Sequence, residues 1–134
     1  MLGFAHMQST MAVLFAVTIT FAVLFQLALA AGAPWGAYAM GGAHPGRFPA
    51  PLRVAALFQA ALLSAMAGVV LARAGVGLPA WASGAPWLIW CVVAFSALSL
   101  GLNLITPSAV ERRIWAPVAL VLLASSVVVA LGAR

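Results

Sequence analysis

Long apolar runs, broken by short patches rich in glycine and proline, set the pattern of this chain. A helix needs about 20 mostly apolar residues to cross the hydrocarbon of a bilayer. Four runs meet that length, at about 11–31, 52–72, 87–104 and 114–131. Pro51 and Pro86 fall where the first turn of a helix has no use for an N–H. Ser83 is placed to cap the third run. Ser108 to Glu111 reads S-x-x-E, a capping box that starts the fourth helix ahead of its apolar run and leaves Pro117 as a tolerated kink. The predicted fold is all-α: one integral membrane domain over 1–134, a four-transmembrane-helix bundle with a lid-like loop at 32–51.

Composition removes the soluble alternative. The 134 residues are 66% hydrophobic and 5% charged, against about 25% charged in soluble domains. Every basic residue is arginine, and Glu111 is the one carboxylate, which leaves a net charge of +5. In a soluble protein so basic a balance points to nucleic acid. Here the arginines sit at the ends of apolar runs, with no basic stripe interleaved with aromatics, so no nucleic-acid partner is expected. Membrane lipids are the expected surroundings. Cys91 is alone, which excludes an intramolecular disulfide, and inside its run it reads as a small buried hydrophobe. The "ALA" at 28–30 imitates a signal-peptidase site. No positive charge precedes that first run, however, and at about 20 residues it exceeds a usual signal core, so it reads as a retained span.

Arginine counting gives an orientation. The 32–51 loop and its flank carry Arg47 and Arg53, and the loop before the last span carries Arg112 and Arg113. The opposite side has Arg73 and Arg134. The balance puts the two long loops in the cytoplasm and both termini outside. "RFPAPL" at 47–52 echoes "RIWAPV" at 113–118, which leaves open two pseudo-repeated helical hairpins or a chance match in an alanine-rich chain.

Small residues in span 2 recur every fourth position: Ala56, Ala60, Ser64, Gly68 and Ala72. Such a row lets backbones approach closely in lipid, so span 2 is expected to be the central helix, with a homodimer seam as the alternative. Trp35, Tyr38, Trp87, Trp90 and Trp115 lie near span ends and read as interface anchors.

Polar side chains are few and gather on one side. Gln26 near the end of span 1 and Gln59 near the start of span 2 fall about 8–10 Å below the same membrane face. Asn103 ends span 3 there, with Ser99 and Ser96 deeper. Tyr38, His44, Arg47 and Glu111 belong to the loops above. A shallow polar pocket follows, with Gln26, Tyr38, His44, Arg47, Gln59, Asn103 and Glu111 as candidate ligand-binding residues. The competing reading is packing alone, the two glutamines holding helices together and Glu111 capping a helix beside an arginine.

Sharper chemistries lack their parts. His6 and His44 flank span 1 on opposite faces, so paired haem ligands are missing. No Cys, His, Asp or Glu cluster suits a metal. No ionisable residue lies deep in a span for proton coupling, and no G-x-S-x-G motif marks a hydrolase. No catalytic residue or cofactor is expected, although a lipid-modifying activity using His44 and Glu111 stays open.

"FQLALAAGAPWGAYAMGGAHPGRFPAPLR" together with "ERRIWAPVAL" resembles a family of small, uncharacterised bacterial integral membrane proteins. Its members pair a "GAPWG" loop, a glycine pair and a nearby histidine with an "ERR" before the last span. The resemblance covers two of the four spans and both long loops. It implies a four-helix protein of a bacterial inner membrane and brings no activity with it. The function expected is a non-enzymatic binding or accessory role toward a lipid, a small amphiphile or a membrane-protein partner. The alternative is an oligomeric channel or passive facilitator lined by Gln26, Gln59 and Asn103.

Overall fold

The computed structural model describes residues 2–132. Four α-helices follow one another: α1 (Leu2–Ala31), α2 (Ala50–Arg73), α3 (Leu88–Ile105) and α4 (Ala109–Gly132). All four are long and apolar enough to cross a membrane, and no strand occurs among the described residues. The protein is a four-helix multi-pass membrane protein. The 18 residues of α3 rise about 27 Å, close to the hydrocarbon thickness of about 30 Å. The 30 residues of α1 rise about 45 Å, so α1 projects past it. Buried Gln8, in the projecting part, donates to the Val128 carbonyl at 2.8 Å. It ties the start of α1 to the end of α4.

The helices are apolar on every side, so hydropathy does not decide which face turns inward. Val17, Val54, Phe58, Leu98 and Ile105 point outward. The interior is built from Ala12, Phe15 and Ile19 of α1, Leu63, Met66 and Val70 of α2, Ile89 and Val92 of α3, and Leu122 and Val129 of α4. Buried Ser96, Ser125 and Ser126 return their hydroxyls to carbonyls one turn back. That satisfies them without a partner helix.

The helices form a ring in the order α2, α1, α4, α3. The pairs α1–α2, α1–α4 and α3–α4 pack along their lengths, while α2 and α3 touch only slightly. The central elements are therefore α1 and α4, which corrects the expectation for α2. Its small-residue row explains the error. Ala56, Ala60 and Ala72 are buried, but Ser64 is exposed and a Cβ on Gly68 would meet nothing within 4 Å. The buried stripe moves to Leu63, Met66 and Val70, because a spacing of four drifts around a helix of 3.6 residues per turn. Three other expectations change with it. Cys91 is exposed on the outer face. Ser83 donates to Ala80 within a single 3₁₀ turn, and α3 starts without a side-chain cap. The prolines of the two echoed hexapeptides differ in place, Pro51 in the first turn of α2 and Pro117 inside α4. Arg134, part of the orientation count, lies outside the described residues.

The α1–α2 and α3–α4 connections share one end of the bundle, the loop end below. Helix α1 stops there through Gly32, whose φ of 102° suits a residue without a Cβ. Ala33 donates to the Ala28 carbonyl at 2.9 Å and Gly32 to that of Leu29 at 3.1 Å. The Arg53 Nε donates to the Ala30 carbonyl at 2.8 Å, binding the start of α2 to the end of α1.

Candidate functional site

The chain between α1 and α2 folds back over the loop end. Its neck is a hydrogen bond from the Gly36 N–H to the Gly46 carbonyl, 2.9 Å long. A side chain at Gly36 would run into the carbonyls of His44 and Gly46, so only glycine permits this approach. Between the two ends lie two short 3₁₀ turns, Gly36–Tyr38 and Met40–Gly42. Positive φ at Met40 (53°), Gly41 (67°) and Gly42 (77°) turns the peptide N–H of Gly41 downward onto α4.

That N–H meets Glu111. The Oε2 of Glu111 accepts it at 3.0 Å. The capping box is present only in half: the Glu111 N–H donates to Ser108 Oγ at 3.2 Å. In a full box the carboxylate would return to the Ser108 N–H. Here the Thr106 hydroxyl already accepts that N–H at 3.3 Å, and the carboxylate is released to hold the loop. One turn on, the Trp115 Nε1–H donates to the Tyr38 carbonyl at 2.8 Å. Its ring packs on Phe25 at 4.7 Å and Phe21 at 5.7 Å between centroids. Two residues of α4 thus pin the loop at two successive points.

Beneath this lid the four helices leave a cavity of about 180 Å³. Gln26, Tyr38, Gln59, Asn103 and Glu111 line it, coming from three helices of the ring, the lid and the first turn of α4. Phe25, Phe95 and Trp115 add aromatic surface, while Ala22, Leu63 and Leu122 form the apolar floor. The Asn103 amide donates to the Ser99 carbonyl at 2.7 Å. Gln26 and Gln59 do not bond to each other, and both border the cavity together with an adjoining recess against Leu29 and Phe48.

Two candidate residues lie elsewhere. His44 is exposed and meets Phe48 edge-on at 6.3 Å. Arg47 is exposed, with its guanidinium against Gly32. The neck hydrogen bond brings the chain after Gly42 back toward Gly36, and neither His44 nor Arg47 lines the cavity, while Phe48 just beyond packs on Leu29 and Ala56. His44 and Glu111, the pair that a lipid-modifying chemistry would need, do not share a pocket. No group of three or more metal-ligating side chains occurs among the described residues.

The aromatic walls were hidden in the sequence. Trp115 reads as an interface anchor by its place near a span end. Its spacing of four from Glu111 is the signal that was there to use, since residues i and i+4 share a helix face. The same holds for Phe21 and Phe25 on α1. Comparison with known proteins finds no matching family model, no similar curated protein and no similar solved structure.

Proposed function

We propose that this protein is a non-enzymatic membrane protein whose lidded cavity binds the polar head of a lipid or small amphiphile. The observation that carries the reading is the cavity itself. Five polar side chains converge under a lid that two hydrogen bonds to α4 and apolar packing on α1 and α2 hold in place. The Gln26 and Gln59 amides are half-buried at the cavity, where they can bond to an occupant that replaces water. Pockets for drug-sized ligands run to about 300–1,000 Å³. At about 180 Å³ this one suits a head group, with an attached chain remaining outside. Fully buried Phe15, Ile19, Val70 and Val129 fill the core beyond the cavity, which supports binding over conduction through a single chain. The arginine balance favours the cytoplasmic side for the cavity, and the resemblance of the two long loops supports a bacterial inner membrane.

Quenching of tryptophan fluorescence by head-group spin-labelled amphiphiles tests the reading. Trp115 lies in the wall, so quenching should saturate with concentration. Ser99→Leu, which fills the cavity from α3, should abolish the saturable part while helicity is retained. Equal saturable quenching in that variant would refute the site.

A further inference from the structure

The chain's one acidic side chain sits in this cavity, and no cation among the described residues pairs with it. Glu111 is 6% exposed, and burying a charge in low dielectric is costly unless it is paired. Each described arginine is engaged or placed elsewhere. Arg112 donates to the Thr106 carbonyl at 2.7 Å, and Arg53 to that of Ala30. Arg47 lies against Gly32, Arg113 is exposed, and Arg73 ends α2 at the opposite end of the bundle. The Gly41 N–H occupies one carboxylate oxygen. The start of α4 contributes only about half a positive charge. The second oxygen, Oε1, has no hydrogen-bond donor among the described residues, yet it is not a sealed buried atom; the residue borders the cavity.

The rest of the cavity surface carries no second charge. Phe25, Tyr38, Phe95 and Trp115 are aromatic, and the remaining polar groups are neutral amides and hydroxyls. Aromatic faces attract cations, and they recognise alkylated ammonium groups in particular. The volume of about 180 Å³ compares with the cavity of about 150 Å³ that admits benzene in another protein, so a compact ammonium head fits. We infer that the cavity takes an organic cation, an amine or quaternary ammonium head group, with Glu111 as its counter-charge and the aromatic residues as its walls. The inference rests on the binding reading above and names the chemistry of its ligand.

The experiment is a calorimetric titration of the purified protein in uncharged maltoside micelles. The probes are choline and its uncharged tert-butyl analogue, in which carbon replaces the nitrogen. Wild type should bind choline at least about tenfold more tightly than the analogue, from the charge pair and the cation–π contacts together. Glu111→Gln keeps an oxygen able to accept the Gly41 N–H and should lose most of that preference, retaining only the part the aromatic walls supply, with its circular dichroism and melting unchanged. Equal affinity of wild type for both probes overturns the inference and leaves the binding reading standing. So does displacement of choline by an equal concentration of sodium, since the aromatic walls would then contribute nothing. If neither probe binds and Ser99→Leu leaves amphiphile quenching intact, the inference and the binding reading fall together.

Discussion

Trp115→Phe isolates one of the two bonds that close the lid. The substitution keeps an aromatic ring for packing against Phe25 and Phe21 and removes only the indole N–H that reaches the Tyr38 carbonyl at 2.8 Å. A neutral hydrogen bond contributes about 0.5–1.5 kcal/mol net. This one lies at an exposed position, so water can replace the donor, and the full penalty for an orphaned carbonyl does not apply. A loss of about 1 kcal/mol corresponds to about fivefold more lid opening. Hydrogen exchange on protein in nanodiscs reads that ratio at the Gly41 amide, whose bond to Glu111 exists only with the lid closed. It should exchange about fivefold faster, while amides in the middle of α1 and α4 keep their rates. An unchanged Gly41 rate would show that Trp115 does not hold the lid. An equal acceleration throughout α4 would show that the substitution loosens the bundle instead.

Three further outcomes follow from the packing. Gly68→Ala should leave the melting temperature no lower than that of wild type, since nothing lies within 4 Å of a Cβ there. Ala60→Leu, at a position 4% exposed, should cost about 1–3 kcal/mol by overpacking; thermal unfolding in detergent compares the two. Gly36→Ala should break the lid neck, because the added Cβ meets two carbonyls, and the Gly41 amide should then exchange faster than in Trp115→Phe. For orientation, a Cys91→Ser background removes the exposed native thiol, after which cysteines at exposed Ala43 and Ala109 should label from the cytoplasmic side and one at exposed Gly77 from the other. The reverse pattern would refute the arginine-based orientation.

The number and type of elements were legible because the bilayer demands length and apolarity, and both can be counted along a chain. Level along the bundle was legible for the same reason. The rise per residue places Gln26, Gln59 and Asn103 at one level, and all three line the cavity. Rotation about each helix axis was not legible. With apolar residues on every side of α2, the whole row of small residues looked like an interface, whereas only Ala56, Ala60 and Ala72 of it are buried and Leu63, Met66 and Val70 supply the rest of the inward face. Loop geometry was hidden more deeply. Whether Glu111 turns back to Ser108 or upward to Gly41 depends on Thr106 competing for one N–H. Whether His44 and Arg47 face the cavity depends on the Gly36–Gly46 bond. Neither contest leaves a periodic mark in the sequence.

The slight contact between α2 and α3 gives the ring one weak joint. In a membrane that joint faces acyl chains rather than water. An amphiphile whose head occupies the cavity can then arrive sideways, its tail never leaving the bilayer. Encounter becomes diffusion in two dimensions, and occupancy follows the mole fraction of ligand among the lipids. Two preparations with the same total ligand but different amounts of lipid would differ in saturation, and diluting both with buffer would change neither.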